Sequence, residues 1–310
     1  MRLRTASLLD LGRIEQMHRD AEERFASEAP TVRLWALVSQ TLTAILPLAQ
    51  ESLLYVAEED GQLLGFVQAS GSGPARSLSS RLSSLQVLNV CVGKDAHVDE
   101  VAPRLIDHLV RKAGELGVHR LFVRVPLDDP LTALFRLRGF RQFATESVLF
   151  AEAPQGGADP AIPGLHHFHS REDRALYSLY RRVTPIHVAQ LEAPTYRAWR
   201  AARGEVGDQE AVDRGELLAW TSVVRGSQTR PHRLSFLLRP ERELAEQLAD
   251  HVLASCTGEP AWTSLRHYDG HMIDALRGRG FTILLSQGLL VRDTTLTEPL
   301  VDKTLVPSFG

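Results

Sequence analysis

Apolar residues recur at helical spacing over residues 8–25, and they alternate with polar residues in several short runs of the first 152 residues. The helical spacing predicts an amphipathic helix at 8–25, and further helices at 98–116 and 131–138 that end before Gly117 and Gly139. The alternating and apolar runs predict strands at 3–6, 53–58, 62–69, 85–92, 120–125 and 139–151. This half of the chain therefore predicts a mixed sheet covered by helices.

The second half repeats the later part of this order. Strands are predicted at 216–225, 233–239 and 261–266, followed by a pair of strand segments at 281–292, and helices at 171–182, 188–202, 241–255 and 269–279. The match is tightest at the last helix, where ALFRLRGFRQF at 133–143 corresponds to DALRGRGFTIL at 274–284. A repeated unit of about 150 residues indicates two copies of one domain.

A segment rich in proline and glycine separates the two halves. Residues 152–164, EAPQGGADPAIPG, contain three prolines and three glycines and have no periodic apolar pattern. Such a segment is typical of a linker. We therefore expect an N-terminal domain at 1–152, a linker at 153–164 and a C-terminal domain at 165–310.

Composition narrows the range of partners. The chain has 44% hydrophobic and 24% charged residues and a formal net charge of −3, evenly spread, so it lacks the basic face that binds nucleic acid. The longest apolar stretch, 34–57, is interrupted by polar residues and a proline, which argues against a membrane span. The N-terminus shows no signal-peptide pattern, and Cys91 and Cys256 are too far apart in sequence for a redox pair. We expect a reduced cytoplasmic protein, a monomer or a homodimer, without a metal.

The order of the elements resembles the GCN5-related N-acetyltransferase (GNAT) fold. The likeness is carried by residues 54–68 with their Asp-Gly turn, by 85–92 and the helix that follows, by 117–125, and by 131–140 with the Gly-Phe pair after the short helix. A weaker version covers about 205–292. The resemblance implies an α+β protein of two tandem GNAT-like domains, each a mixed, mostly antiparallel sheet flanked by helices, with a degenerate second copy.

The resemblance also implies a reaction, the transfer of an acetyl or other acyl group from acyl-CoA to a small-molecule or protein amine. In that family a bulge separates the fourth strand from the fifth, and the pantetheine arm binds backbone groups there, which implies contacts at Val90 and Val92. The pyrophosphate binds the next helix N-terminus, and the matching cofactor-binding positions are His97, Val98, Glu100, Val101, Ala102 and Arg104. Asn89 is expected to touch the substrate or, alternatively, to satisfy the bulge.

Two positions depart from the family pattern in both copies. Glu100 and, in the second copy, Glu243 stand where the pyrophosphate loop has glycine, and a carboxylate there repels phosphate. Phe135 and Leu276 stand where the family commonly has a tyrosine acid, so no catalytic residue is assigned. Lys94, Arg104 or Arg111 could supply the missing positive charge in a working enzyme.

Three hypotheses follow from this mixture. The first is an N-acyltransferase that works mainly by positioning its substrates. The second is a catalytically inactive tandem-GNAT protein that acts as a binding or scaffolding module. The third gives the second copy only the task of covering the first and shaping its acceptor cleft.

Histidines and tryptophans offer further candidates. His166, His167 and His169 follow the linker without an evident carboxylate partner, which favours a solvated strand start over a metal site. Trp199 and Trp220, like Trp262, are spaced as core residues and show no pattern of a cation site.

The segment before the last helix of the second copy allows two interpretations. Tyr268 and His271 could form an acid–base pair there. Alternatively, Asp269 caps the helix and the neighbouring residues lie at the surface. Cys91, on the fourth strand, is interpreted as a buried core cysteine rather than a nucleophile.

Overall fold

The computed structural model describes residues 1–28, 52–71, 84–203, 207–227, 230–256 and 258–294. The strands are β1 Arg2–Thr5, β2 Ser52–Glu59, β3 Gln62–Gly71, β4 Ser84–Val92, β5 Arg120–Pro126, β6 Arg141–Ala151, β7 Leu165–His167, β8 Asp208–Asp213, β9 Leu217–Val224, β10 His232–Leu238, β11 Ala261–Arg266 and β12 Thr282–Asp293. The helices are α1 Leu11–Glu28, α2 Val98–Glu115, α3 Pro130–Leu137, α4 Asp173–Val183, α5 Ile186–Glu192, α6 Tyr196–Ala202, α7 Arg242–Ala254 and α8 Gly270–Arg277. None of the helices in these ranges is long and apolar enough to span a membrane.

The strands form one mixed, mostly antiparallel sheet of 12 strands in the order β1-β2-β3-β4-β5-β12-β6-β11-β10-β9-β8-β7. The last strand of each half lies inside the other half. β6 pairs with β11, and β12 pairs with β5, while β6 and β12 pair with each other at the centre. The two halves therefore exchange their closing strands and share one continuous ladder.

A pseudo-two-fold axis passes through the centre of this ladder. Glu146 on β6 lies opposite Gln287 on β12. Alignment of Gly139-Phe140 with Gly280-Phe281 makes these two residues equivalent by sequence. The β6–β12 register skips one residue on each strand, Phe143 and Leu284, and these are also equivalent in the alignment. Residues that the sequence alignment makes equivalent therefore occupy equivalent positions in this ladder.

Each half packs a helix on one face of the sheet. Leu121, Val123 and Val125 of β5 join the core under α2, and a second core lies under α7. On the opposite face, α1 packs on β3 and β4, and α4 packs on β9 and β10. Because side chains alternate along a strand, Phe122 and Arg124 lie on that opposite face of β5.

Most predicted elements are confirmed to within a few residues, with three differences. The helix predicted at 188–202 is divided into α5 and α6 at Pro194, and β12 is one strand rather than two segments. β7 and β8 had no prediction. β8 reads DQEAVD and buries only Ala211 and Val212 on an outer strand, so its alternation of apolar residues is too short to detect.

The segment between the halves is fastened to the second half. The Gly157 N–H donates to Asp250 at 2.9 Å, and the Gln155 N–H donates to the Arg279 carbonyl oxygen at 3.0 Å. Ile162 is buried in the core under α7. The division into domains at 1–152 and 165–310 remains a prediction. The segment that joins them packs on the second half and is hydrogen-bonded to it.

Candidate functional site

The fourth and fifth strands separate part of the way along their length. β4 and β5 run parallel and pair only from Ser84 opposite Arg120 to Val87 opposite Val123. Directly after Val87, the β3–β4 register skips Leu88. Such a bulge bends a strand away from its neighbour. Past Leu88, β4 stays paired with β3, and a split opens between β4 and β5.

The backbone on the β5 side of β4 is directed into this split. The Gly93 N–H donates to the Leu64 carbonyl oxygen at 2.8 Å, so Gly93 bonds toward β3. Backbone groups of an antiparallel strand alternate in direction from one residue to the next. Val90 lies opposite Val67 and Val92 opposite Gly65, at the non-bonded positions of the β3–β4 ladder. Their backbone groups are therefore directed to the split.

The N-terminus of α2 follows the end of β4 closely. His97 precedes the helix, and the N–H groups of Glu100 and Val101 donate to its carbonyl oxygen at 3.1 and 3.0 Å. Asp99 and Glu100 are exposed in the first turn, whereas Val101 and Ala102 are buried. The positive end of the helix dipole favours an anion, but two carboxylates of the same turn oppose it. The predicted pyrophosphate positions thus lie in the first turns of one helix, where the helix dipole attracts an anion and two carboxylates repel it.

Of the three cationic residues that the sequence suggested for the phosphate loop, two lie near the start of α2. Lys94 and Arg104 are exposed near the start of α2. Arg111 lies 13 residues after the first residue of the helix, about 20 Å away at the helical rise of about 1.5 Å per residue. It pairs with Glu115 at 2.9 Å instead. Of the three alternatives, Arg111 thus lies too far along α2 to reach the phosphate loop.

The helix after β5 carries no acid at the family tyrosine position. Phe135 is buried in the core and packs edge-to-face on Phe140, with ring centroids 5.0 Å apart. Asp129 caps the start of this helix, accepting from the Leu131 N–H at 2.7 Å, and its burial raises its pKa. In the second half, Leu276 is likewise fully buried.

A row of polar side chains crosses the opposite face of the sheet beside the split. Asn89 Nδ2 donates to Gln68 Oε1 at 2.9 Å, next to the skipped residue of β4. Arg124 donates from Nη1 to Gln86 Oε1 at 3.4 Å and from Nε to Glu146 Oε1 at 2.9 Å. Asn89 was expected to touch the substrate or to satisfy the bulge; the structure places it at both the bulge and the split.

Glu146 is the centre of a buried charge cluster on this face. Its side chain is 5% exposed and accepts from Arg124 and from Gln287 Nε2, and Arg266 Nη1 lies 3.3 Å from Oε2. Burial raises the pKa of Glu146, but the two guanidinium groups and the amide outweigh it and leave the pKa below its usual value. A carboxylate held in this way is a structural anion and not a general base. The cluster extends further, since Arg266 Nη2 donates to Glu192 at 2.6 Å.

The second half has a similar split, but the strand beside it has no bulge. β10 and β11 pair only from His232 opposite Ala261 to Leu234 opposite Thr263. The β9–β10 register, however, runs without a skip. α7 begins at Arg242, and its first turn exposes Glu243. The split is therefore present in both halves, but the bulge in the strand beside it belongs to the first.

Several other sequence interpretations need correction. His166 does have a carboxylate partner, because its Nε2 lies 2.8 Å from Glu172 Oε1. Within the described ranges, no group of three or more histidine, cysteine, aspartate or glutamate side chains is arranged so that it could hold a metal ion. Trp199 and Trp220 do flank a cation: both rings lie within 5.3 Å of the Arg203 guanidinium carbon.

The segment before α8 differs from both of its interpretations. The Asp269 carboxylate accepts from the Arg266 N–H at 3.1 Å and makes no side-chain cap to the helix. Tyr268 is half-buried and packs against Val188 and Leu289, and burial raises its pKa. His271 is exposed. Burial also raises the pKa of Asp269, to about 6.

Comparisons with known proteins agree with this geometry. Residues 14–140 match the model of the acetyltransferase (GNAT) family. The structure is similar to a GCN5-related N-acetyltransferase from Sphaerobacter thermophilus, with 16% identity, 94% of this chain and 95% of that chain covered, and a TM-score of 0.55. It is also similar to the GCN5-related glucosamine N-acetyltransferase region of a fungal multi-domain β-N-acetylglucosaminidase, with 14% identity, 94% and 38% coverage and a TM-score of 0.59.

No curated protein matches the chain. The match to the GNAT family covers residues 14–140, in the first half of the chain, whereas the likeness of fold to GCN5-related N-acetyltransferases extends over nearly the whole chain.

Proposed function

We propose that the N-terminal half transfers an acetyl or other acyl group from acyl-CoA to an amine at the split between β4 and β5. The observation that carries this proposal is the coincidence of the skipped residue Leu88 with the end of the β4–β5 ladder at Val87. It gives a strand with one paired and one open edge, which is what a linear pantetheine arm needs in order to add its own hydrogen bonds.

The residues beside the split supply unequal parts of a CoA site. Backbone groups at Val90 and Val92 would bind the pantetheine, and the first turn of α2, with His97 and Val98, would receive the pyrophosphate. Glu100 weakens this end, and Lys94 and Arg104 offset it by adding charge that can move to a phosphate. We therefore expect acyl-CoA to bind, but less tightly than a glycine-rich loop would bind it.

Catalysis in this site would depend mainly on positioning. The lone pair of the amine nitrogen forms the new C–N bond with the thioester carbon, the C–S bond breaks, and the thiolate of CoA leaves. The ammonium formed gives its proton to solvent. Backbone N–H groups at this end of β4 polarise the carbonyl, and Phe135 offers no proton to the leaving group. Holding the two reactants together can still supply a large part of the rate.

The alternative is a catalytically inactive tandem-GNAT protein that binds a partner or a metabolite. Glu100 and Glu243 at the two helix starts favour it, as do Phe135 and Leu276, since the departures occur in both halves. The contact of Arg266 with Glu146 favours the third hypothesis, in which the second half shapes the acceptor side of the first.

Calorimetric titration with acetyl-CoA separates these hypotheses. We expect binding to the wild type, binding that is about two- to fivefold tighter for Glu100→Gln because a carboxylate is removed from the helix N-terminus, and no change for the matched variant Glu243→Gln. A change in affinity for Glu243→Gln alone would assign the acetyl-CoA site to the second half. Absence of heat from the wild type, Glu100→Gln and Glu100→Gly would reject the proposal and leave the inactive binding protein.

A further inference from the structure

On the acceptor side of the split, the Arg124 guanidinium reaches solvent and is held in a defined position. We propose, on the basis of the function proposed above, that Arg124 binds an oxyanion, a carboxylate or a phosphate, on the amine acceptor. The acceptor would then be an amine with an anionic group, such as an amino acid or an aminoalkyl phosphate, and not a polyamine or a simple hydrophobic amine.

The position of Arg124 in the sheet is the first argument. It is the first residue of β5 past Val123, where pairing with β4 ends. Its neighbours Val123 and Val125 face the core under α2, so its own side chain lies on the opposite face. The N-terminus of α2 marks the side from which CoA would enter. An amine that attacks a thioester in the split is therefore left with the face that carries Arg124.

The second argument is the way in which the guanidinium is held. Nε donates to Glu146, which is 5% exposed, while the Arg124 side chain is 45% exposed. Nη1 donates to Gln86 at 3.4 Å. One edge of the planar group is thus tied to a buried carboxylate, and within the described ranges the edge formed by Nη1 and Nη2 makes no other hydrogen bond or ion pair. A fixed guanidinium edge matches the two oxygens of a carboxylate or phosphate.

The third argument is charge. Glu146 does not depend on Arg124 alone, because Arg266 and Gln287 also contact it. The polar residues next to Arg124 along the face, Gln86, Gln68 and Asn89, are uncharged amides. A substrate that approaches the split from this side thus meets a positive charge first, which attracts an anion and repels a polycation.

The fourth argument is the difference between the two halves. Gln287 lies opposite Pro126, and its equivalent Glu146 lies opposite Arg266, so Pro126 and Arg266 occupy equivalent positions. The equivalent of Arg124 is then Ser264, which is exposed. The sheet does not require an arginine at this position. Arg124 occurs only in the half that also has the bulge, which links it to that site rather than to the shared fold.

The test uses pairs of amines that differ in one anionic group: L-tryptophan and tryptamine, L-tyrosine and tyramine, L-histidine and histamine, and phosphoethanolamine and ethanolamine. Each is titrated by calorimetry into the full-length protein with and without acetyl-CoA, and release of the CoA thiol is followed in parallel. The proteins are the wild type, Arg124→Met, Arg124→Lys and the control Arg111→Met, whose residue is exposed on α2 on the other face.

We expect the anionic member of at least one pair to bind the wild type better than its partner. Arg124→Met should weaken that binding by roughly 10- to 100-fold, Arg124→Lys should weaken it less, and Arg111→Met should leave it unchanged. The amino acids and phosphoethanolamine distinguish a carboxylate from a phosphate. Arg124→Lys keeps the charge beside Glu146 and serves as the decisive variant if Arg124→Met does not fold.

The proposal fails if the cationic members bind equally or better, if no anionic member binds, or if neither substitution at Arg124 changes the preference. Failure of the acyl-transfer function gives a different pattern. In that case acetyl-CoA produces no heat and no thiol is released, while titration of the amine pairs without acetyl-CoA still decides whether Arg124 recognises an oxyanion.

Discussion

Glu146 and Gln287 face each other across the β6–β12 ladder, and each is the sequence equivalent of the other in the opposite half. A repeat with identical residues at this point would place two carboxylates or two amides on the axis. The amide Nε2 of Gln287 instead donates to Glu146 Oε1. The sequence difference therefore allows one buried carboxylate to be shared by Arg124 of the first half and Arg266 of the second.

Substitution of Gln287 by glutamate should destabilise the protein in a way that depends on pH. Two buried carboxylates in contact repel each other, and we expect a loss of about 2–4 kcal/mol in the free energy of unfolding at pH 7. Repulsion raises the pKa of one of the two, so part of the loss should be recovered as the pH falls below that raised pKa. Urea unfolding at pH 5 and pH 7 measures both effects. The control is Gln142→Glu, because Gln142 is an exposed residue of the same strand pair. Equal stability of Gln287→Glu and wild type at pH 7 would contradict the expectation.

The exchange of closing strands predicts that the halves do not fold separately. In a fragment of residues 1–152, β6 loses both of its neighbours and β5 loses β12. Exposed strand edges of this kind aggregate. We expect the fragment alone to be unfolded or aggregated by circular dichroism and gel filtration, and to become folded when it is coexpressed with 153–310. A folded, monomeric 1–152 fragment would show that the predicted domain boundary is also a boundary of stability.

The strand exchange itself was beyond prediction from the sequence. The sequence pattern predicts strands at 139–151 and 281–292, in both copies directly after the short helix. The same pattern, however, fits a strand that closes its own half equally well, because both partners offer an apolar face. The repeat Arg-Gly-Phe before each strand even makes the two strands look interchangeable. Pairing choice depends on contacts between residues more than 100 apart in sequence, which no local pattern records.

The site shows the same division between local and distant information. The resemblance predicts that β4 separates from β5, and the strand registers show this separation, while the contacts at Val90 and Val92 stay a prediction. Arg124 and its contact with Glu146 were missed, although Glu146 is a charged residue in a strand whose neighbours alternate toward the core. The contact between His166 and Glu172 was missed for a different reason. The carboxylate lies in the short helical turn that follows the histidines and not among the histidines themselves. For Glu146 a signal was available in the sequence, because a charged residue at a strand position that faces inward needs a buried partner.

Glycine 65 provides a test of how closely β3 and β4 approach beside the split. A Cβ at this position would lie 2.7 Å from the Cys91 carbonyl oxygen, a backbone atom, and 3.1 Å from a methyl group of Val101. Gly65→Ala must therefore push the strands apart or displace α2, and we expect a loss of roughly 1–3 kcal/mol in stability. It should also weaken acetyl-CoA binding, because Val92 lies opposite Gly65.

The matched control for Gly65 is Gly12 in α1, where a Cβ would meet nothing within 4 Å. Gly12→Ala should stabilise the helix by up to about 1 kcal/mol and leave acetyl-CoA binding unchanged. Thermal and urea unfolding together with calorimetry measure both variants. Wild-type stability and affinity in Gly65→Ala would mean that β3 and β4 are free to separate at this point.

His251 on α7 should make stability fall as the pH rises past the ordinary pKa of histidine. Its Nδ1 lies 2.7 Å from Asp159 in the segment between the halves, and its Nε2 lies 2.8 Å from Glu210 on β8. Burial lowers the pKa of His251, but the two carboxylates outweigh burial and raise it above its usual value. A raised pKa in the folded state gives a stabilisation that is complete below about pH 6.5, the pKa of an unfolded histidine, and is lost as the pH rises through the raised value.

Removal of this imidazole should therefore change the shape of the pH profile and not only its height. We expect His251→Gln to be less stable than the wild type by about 1 kcal/mol at pH 6 and to approach it at pH 9, because neutral histidine no longer attracts two carboxylates. Limited proteolysis within 153–164 should follow the same course, since Asp159 is released as His251 loses its proton. The exposed His271, substituted in the same way, serves as the control. Parallel profiles for wild type and His251→Gln would show that the ionisation of His251 does not contribute to holding the segment between the halves.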